Sequence, residues 1–283
     1  MDDQEPSGLD HLRANRLRIG FSFFLSFLET GISLCYPWAT GYAVNGLKQD
    51  NYLSLGLLIV TWLAHIAISS GKQAFDTRMY SKLNATISYE VVDYEKDSGT
   101  GVSMISARVE MIEELVDFFE QYFPMHIATI VGILGSLVFL FFYDVVSGML
   151  VLLLLLPIAG WNVYMGLRAF RTNKRLNTEW EKQVRVVAGR RKNKWKVHFL
   201  RMAKWRIRLS DMNLAGWLPA QFLLLGAAVF VLIRFSTNDA FLAGDILAVV
   251  AYIYVIERAV DELPDIAQQI GRLIDIARRL GQV

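Results

Sequence analysis

Residues 121–167 read QYFPMHIATIVGILGSLVFLFFYDVVSGMLVLLLLLPIAGWNVYMGL, and Asp144 is the only charged residue among them. A helix needs about 20 mostly apolar residues to cross the hydrocarbon of a bilayer. The stretch is therefore long enough for two crossings, at residues 121–143 and 145–167. Because Asp144 alone separates them, the two crossings form a tight hairpin. This stretch predicts an all-α membrane protein.

Four further segments are apolar enough to span a membrane: residues 19–44, 52–71, 213–233 and a last one from Phe241 to just before Glu257. The first contains a single charged residue, Glu29, and the last contains Asp245 in its first turn. The chain has 283 residues, 54% of them hydrophobic, which is a high apolar fraction for a soluble domain. The sequence predicts six transmembrane helices.

The 29 Lys and Arg residues are unevenly divided among the segments outside these spans. Residues 1–18 hold three, the loop 72–120 holds five, the loop 168–212 holds 15 and residues 257–283 hold four, which leaves Lys48 and Arg234 for the short loops. Cytoplasmic segments of membrane proteins carry the excess of Lys and Arg. We therefore expect both termini and both long loops to be cytoplasmic, the loops as helical hairpins and residues 257–283 as a cytoplasmic helix.

Two local motifs have counterparts in a known family. Gly244-Asp245-Ile246-Leu247-Ala248, at the start of the sixth span, resembles the Gly-Asp-Leu turn that opens the last helix of ABC exporters. Ser106-Ala107-Arg108, followed by Glu110, Glu113 and Glu114, resembles the start of the third exporter helix. With the order and spacing of the spans, these motifs make residues 16–280 resemble the transmembrane domain of an ABC exporter.

The resemblance implies a domain-swapped homodimer in a bacterial inner membrane, with residues 1–18 as a cytoplasmic segment and residues 19–283 as a six-helix domain. In such dimers the fourth and fifth helices pack on the other subunit, and the translocation cavity lies on the two-fold axis. The tips of the two long loops dock on the ATPase. By position, these tips would lie near residues 84–92 and 189–195.

An exporter half-transporter normally continues into a nucleotide-binding domain. The 283 residues contain neither Gly-x-x-x-x-Gly-Lys-Ser/Thr, the loop that cradles phosphates, nor a Leu-Ser-Gly-Gly-Gln peptide. We therefore expect no ATPase or other enzymatic activity and no cofactor. A separate ATPase subunit or the proton gradient would supply the energy; some exporter-like peptide importers without a nucleotide-binding domain use protons.

Several polar residues lie inside the predicted spans. A carboxylate such as Glu29 is costly in lipid and usually faces a partner or a water-filled cavity, so it is a candidate proton or cation site. His65 and His126 could complete a proton relay with it, or could serve helix packing. Trp161, Asn162 and Gln221 are candidate cavity-lining groups, or interhelical hydrogen-bonding residues. No ligand spacing predicts a metal site.

Four charged residues cluster where the sixth span ends. Glu257 and Asp261 are one turn apart and repel, whereas Arg258 and Glu262 attract. They are candidates for a cytoplasmic gate, and the alternative is a solvated helix face.

The loop 168–212 holds 15 basic and three acidic residues, a net charge of +12, whereas the loop 72–120 holds five basic and ten acidic residues, a net charge of −5. The basic charge could pair with the acidic loop, dock an acidic partner such as a separate ATPase, or contact anionic lipids. Nucleic-acid binding has no supporting motif. The docking candidates at the tip are Arg190, Arg191, Lys192, Lys194, Trp195 and Lys196.

The sequence thus predicts a transporter subunit that moves an unidentified small solute, peptide or lipid by alternating access. The alternative is a non-transporting membrane scaffold or sensor whose basic loop binds a cytoplasmic partner.

Overall fold

The computed structural model describes residues 8–189, 192–238 and 240–280, and none of these residues forms a strand. The helices are α1 Gly8–Ala14, α2 Arg16–Leu47, α3 Leu55–Asp97, α4 Val102–Asp117, α5 Phe123–Tyr143, α6 Val145–Glu181, α7 Gln183–Ala188, α8 Lys192–Ser236 and α9 Ala243–Leu280. A short 3₁₀ turn, Tyr52–Ser54, precedes α3, and a π-helical turn, Phe118–Tyr122, joins α4 to α5.

Within the described residues, five helical segments are long and apolar enough to cross a membrane: Arg16–Leu47, Tyr52–Asp97, Val102–Tyr143, Val145–Ala188 and Lys192–Ser236. Their outer surfaces are also apolar; Phe142, Leu156 and Phe222, for example, are 81%, 64% and 68% exposed. Apolar surface of this extent fits contact with lipid. The prediction of an all-α, multi-pass membrane protein is confirmed.

The sixth predicted span lies at the start of α9, which is not among these five. Its first 18 residues include three charged side chains, Asp245, Glu257 and Arg258. The same stretch is nevertheless deeply packed, because Ile256 and Tyr252 are fully buried. The Tyr252 ring stacks on Phe139 of α5 at 4.8 Å, and its hydroxyl donates to the carbonyl oxygen of Leu34 in α2. The six-span count therefore remains a prediction, which this central position of α9 supports.

The helices are joined at two ends of the bundle. At the short-turn end, α2 is joined to α3, α5 to α6 and α8 to α9. At the long-hairpin end, α3 turns into α4, and α6 turns through α7 into α8. Asp144 is the single residue between α5 and α6, so the predicted tight hairpin is present.

Asp144 fixes the short-turn end with two sets of hydrogen bonds. Its carboxylate accepts hydrogen bonds from the backbone nitrogen and the hydroxyl of Ser147, so that Asp144 caps the start of α6. It also accepts from Nε and Nη2 of Arg234 at the end of α8, at 2.6 and 2.9 Å. The hydrogen bonds from Arg234, helped by those from Ser147, lower the pKa of Asp144 to about 2. One side chain therefore joins α6 to α8.

The structure corrects the expected tip of the first long loop. Residues 84–92 lie inside α3, which continues unbroken to Asp97, and the turn occupies residues 98–101. No Gly or Pro lies in residues 84–92 to stop the helix, whereas Gly99 adopts a positive φ of 74° and Gly101 precedes α4. Arg108, from the exporter-like motif, forms an ion pair with the buried carboxylate of Glu95 across this turn.

The tip of the second long loop lies where it was expected. Gly189 ends α7 and Lys192 begins α8, so residues 189–195 contain this turn. The Trp195 indole nitrogen donates to the carbonyl oxygens of Val186 and Gly189 and ties the turn together. Arg190 and Arg191 lie outside the described residues.

Candidate functional site: two polar networks in an apolar bundle

The first polar network lies between α2 and α3, and we call it the Glu29 cluster (Glu29, Tyr36, His65, Lys72 and Asp76). The carboxylate of Glu29 is 3.9 Å from Nε2 of His65 and 3.6 Å from Nζ of Lys72. Lys72 also lies 3.4 Å from Asp76, and the Tyr36 hydroxyl forms a 2.9 Å hydrogen bond with Nδ1 of His65. The structure therefore brings together Glu29 and His65, two of the three residues considered for a relay.

The pairing of α2 with α3 sets Glu29 against the end of the predicted second span. Glu29 lies opposite Lys72, the first residue after the predicted second span. From Tyr52 to Lys72 the helix rises about 30 Å, the thickness of the hydrocarbon. Glu29 therefore lies opposite the end of the predicted second span, whereas its place within residues 19–44 suggested a position nearer the middle. This pairing depends on helix register, which apolar length alone does not determine.

Lys72 and Asp76 were not among the residues that the sequence predicted to bind protons or line the cavity. Asp76 is only 5% exposed, and its Oδ1 has no hydrogen-bond partner among the described residues. A buried carboxylate is stable only when it is paired or protonated. The sequence contained a usable signal, because Lys72 and Asp76 have the i, i+4 spacing of a helical ion pair.

His126 lies outside the contacts that define the Glu29 cluster. It is 5% exposed near the start of α5, and its ring is 6.3 Å from that of Phe118 in the π-helical turn. Its described surroundings are aromatic, since Phe118 also lies beside Phe123.

The second polar network joins α8 to α9, and we call it the gate network (Gln221, Glu257 and Asp261). The side-chain nitrogen of Gln221 donates to Glu257 Oε1 at 2.7 Å and to Asp261 Oδ1 at 3.0 Å. Gln221 and two of the gate candidates, predicted separately, thus form one site. A single amide nitrogen bridges two carboxylates that would otherwise repel each other.

The other two gate candidates differ in their contacts. Glu262 accepts a 2.5 Å hydrogen bond from the Thr129 hydroxyl of α5, so it ties α9 to a second helix. Arg258 is 3.9 Å from Glu262, but its side chain is 85% exposed. An ion pair this exposed contributes little to stability.

Two further candidates lie on α6. Trp161 donates from its indole nitrogen to the carbonyl oxygen of Ala215 in α8, at 2.9 Å. The amide nitrogen of Asn162 is buried and has no hydrogen-bond partner among the described residues. The Trp161 hydrogen bond therefore links α6 to α8, whereas Asn162 makes no such link to another described residue through its amide nitrogen.

The α6–α8 hairpin is basic outside and contains one buried carboxylate. Glu179 is 8% exposed and lies 3.2 Å from Lys182, 3.5 Å from Arg201 and 3.7 Å from the buried His198. About one turn nearer the bundle, Arg175 lies over the ring of Trp205. The tip candidates Lys192, Lys194 and Lys196 are exposed, and Trp195 is half-buried.

Residues 10–244 match the family model described as ABC transporter transmembrane region. The chain belongs to this family. A search of curated proteins found no match. The family match includes the α3–α4 and α6–α8 hairpins and the first two residues of α9.

As an ABC transporter transmembrane region, the chain contains two polar sites, the Glu29 cluster and the gate network. Each links neighbouring helices, α2 with α3 or α8 with α9, through hydrogen bonds and ion pairs of ordinary length. The described residues contain no group of three or more His, Cys, Asp or Glu that could hold a metal ion. In both sites, carboxylates of one helix are held by donors from the neighbouring helix.

Proposed function

We propose that the chain is the membrane subunit of a transporter, which moves a solute by alternating access. Two copies, each with six spans and both termini cytoplasmic, form a homodimer in a bacterial inner membrane. The solute is a small molecule, peptide or lipid, and the subunit itself performs no catalysis. Membership of the ABC transmembrane family and the five apolar helical segments support a role in transport.

The observation that best supports alternating access is the gate network. Gln221 holds α8 to α9 through two hydrogen bonds to Glu257 and Asp261. A hydrogen bond to a charged group contributes about 1.5–3 kcal/mol, which is small enough to break during a conformational cycle. In the proposed cycle these bonds break when α8 and α9 separate on one side of the membrane, and they form again on closure.

Energy comes from outside the chain by one of two routes. The first is a separate ATPase docked on the turn at residues 189–195, where Lys192, Lys194 and Lys196 offer a basic surface to an acidic partner. The second is the proton gradient, for which the Glu29 cluster supplies two carboxylates and an imidazole. The imidazole of His65 lies 3.9 Å from Glu29, and Lys72 lies 3.6 Å from Glu29 and 3.4 Å from Asp76.

Native mass spectrometry of the protein gently extracted from its own membranes tests the proposal. A stoichiometric second subunit with a phosphate-binding loop supports the ATPase route. A bare homodimer supports the proton route and directs attention to Glu29. A stable monomer in native lipids would contradict the proposed transporter, because the cavity requires two copies.

One observation favours a scaffold or sensor instead. The α6–α8 hairpin exposes apolar side chains among its basic residues, including Trp180 at 44%, Val184 at 81% and Val187 at 51%. Such a surface is suited to a protein partner. The two functions differ in what occupies the two-fold axis of the dimer. A transporter has a water-filled space there, which a polar thiol reagent can reach. A scaffold fills that space with apolar side chains.

A further inference from the structure

An open groove of about 430 Å³ lies at the long-hairpin end, beside α1, the start of α2 and the middle of α3. Its apolar lining is the half-buried ring of Phe75, with the buried Met79 and Leu83 alongside. The volume falls within the range of small-molecule sites, about 300–1,000 Å³. None of its residues belongs to the Glu29 cluster or the gate network. Its polar lining is mostly basic and consists of His11, Asn15, Arg18, Arg78, Lys82 and Thr86.

Three cations of this groove have no carboxylate partner among the described residues. No described carboxylate lies within 4 Å of Arg18, Arg78 or Lys82. One guanidinium nitrogen of Arg78 donates to the Ala74 carbonyl oxygen at 2.7 Å, which leaves its other N–H groups available for a ligand. His11 differs, because its ring nitrogen is hydrogen-bonded to Glu90 at 2.6 Å.

Two of these cations belong to the loop 72–120, which is acidic and holds ten Asp and Glu residues against five Lys and Arg. Carboxylates are thus plentiful in the loop, and its Lys72 and Arg108 both have carboxylate partners. Water solvates a single exposed cation well, but three cations around one concave surface add their potentials and attract an anion. The groove therefore favours an anionic ligand.

The arrangement of the three cations fits a phosphate group better than a carboxylate. Arg78 and Lys82 are one turn apart on one face of α3, about 6 Å along the axis. Arg18 approaches from α2, because the adjacent Ile19 packs in the same apolar cluster as Met79 and Leu83. A phosphate monoester carries a charge of about −1.5 to −2 at neutral pH and three terminal oxygens, so each cation has an acceptor. A carboxylate has two oxygens and one charge.

We propose that this groove binds a small, water-soluble organic phosphate. Arg18, Arg78 and Lys82 hold the phosphate group, and the organic part of the ligand lies against the ring of Phe75. This ring distinguishes the site from one for free phosphate, which would gain nothing from it. The ligand bridges α2 and α3, and its binding does not depend on transport.

Isothermal titration calorimetry of the protein in detergent, with phenyl phosphate as the probe, tests the proposal. The wild type should bind phenyl phosphate about tenfold more tightly than inorganic phosphate, which lacks the ring, and than benzoate, which has the ring but a single charge. Arg78→Gln and Lys82→Gln should each weaken binding about tenfold, the effect of losing one charge-assisted hydrogen bond. Lys82→Arg should retain it. Lys48→Gln, which removes the same charge at the short-turn end, should bind as the wild type does.

Residues 1–7 lie outside the described residues and are a second possible source of anions, because they include Asp2, Asp3 and Glu5. The triple variant Asp2→Asn, Asp3→Asn, Glu5→Gln separates this source from a ligand in solution. It should bind phenyl phosphate as the wild type does. Binding that is detected only in the triple variant would assign the groove to this segment and overturn the proposal.

Three further results would overturn the proposal. Equal affinity for phenyl phosphate and inorganic phosphate would show that the groove does not select an organic phosphate. Equal affinity for benzoate would show that it does not select phosphate. An equal loss in Lys48→Gln would show that overall charge, and not the groove, holds the ligand. The Lys82→Arg variant and elution as a single species guard against misfolding as the cause of lost binding.

Discussion

Asp144 shows at the scale of one residue how this bundle is held. Its carboxylate caps α6 through Ser147 and binds Arg234 of α8 with two hydrogen bonds. Only one tenth of the Asp144 side chain is exposed, although a third of the Arg234 side chain is. Both partners are thus partly shielded from water, and the pair is stronger than one on an open surface.

Asp144→Asn should lower the free energy of unfolding by about 1–2 kcal/mol at neutral pH. Asn still caps a helix, so the loss reports the bonds to Arg234. The pKa of Asp144 is lowered from the ordinary 3.8 to about 2. The stabilisation is therefore complete above about pH 4 and is lost as the pH falls through 2.

Thermal unfolding of both proteins in detergent, from neutral to acidic pH, measures this difference. Asp93→Asn, at an exposed position of α3, is the matched control and should behave as the wild type. A difference between Asp144→Asn and the wild type that persists unchanged to pH 2 would contradict the assignment.

Glu29 is the single residue on which the proposed proton route depends. Glu29→Gln keeps the size of the side chain but removes its charge, and Lys72 keeps Asp76 as a partner, so the fold should survive. In proteoliposomes with an imposed pH gradient, proton flux reported by an enclosed dye should fall to the protein-free rate. Glu181→Gln, at an exposed position, should retain the wild-type flux. Flux that survives in Glu29→Gln would exclude this route.

At the scale of helices, α2 and α9 approach unusually closely at the short-turn end. A Cβ atom on Gly41 would lie 2.5 Å from the carbonyl oxygen of Gly244. The contact is reinforced by Asn45, which accepts from the Gly244 nitrogen and donates to Asp245. A Cβ atom on Gly244 would in turn clash with the carbonyl oxygen of Gly41, so this close packing requires the glycine of the Gly-Asp motif.

Gly41→Ala should push α2 from α9 and lower the free energy of unfolding by about 1–3 kcal/mol, the usual cost of overpacking. Gly226→Ala is the control, since a Cβ there meets no atom within 4 Å, and it should be neutral or stabilising by up to about 1 kcal/mol. Thermal unfolding compares the two. Equal stability of Gly41→Ala and the wild type would show that the helices have room to separate.

Helices were the part of this fold that the sequence predicted best. Membrane spans require a fixed apolar length, so residues 121–143 and 145–167 could be located from composition. The tip at residues 84–92 was wrong because it was placed by analogy, although Gly99 and Gly101 already indicated the true turn. The α9 span was harder, because its buried face depends on the helices packed around it and not on its own composition.

At the scale of the whole molecule, the sites depend on which helices meet. Glu29 and Gln221 could be selected from the sequence because polar groups are rare in apolar spans, and Glu257 because charged residues cluster where the sixth span ends. That Gln221 bridges Glu257 and Asp261, or that Glu29 faces Lys72, follows from helix register. No local pattern encodes that register, which explains why the pairing of Glu29 with Lys72 was not foreseen.

Alternating access in a homodimer is the central claim, and the distance between the two copies tests it most directly. A nitroxide attached at Lys204→Cys, an exposed position of α8, in a Cys35→Ser background gives one label per copy because Cys35 is the only cysteine. Double electron–electron resonance in nanodiscs should show two populations of the distance between the two nitroxides. Gln221→Leu, which removes both hydrogen bonds between α8 and α9, should shift their ratio about tenfold or more. The exposed Gln183→Leu should not. Absence of a dipolar signal, or a single distribution unchanged by Gln221→Leu, would contradict the account.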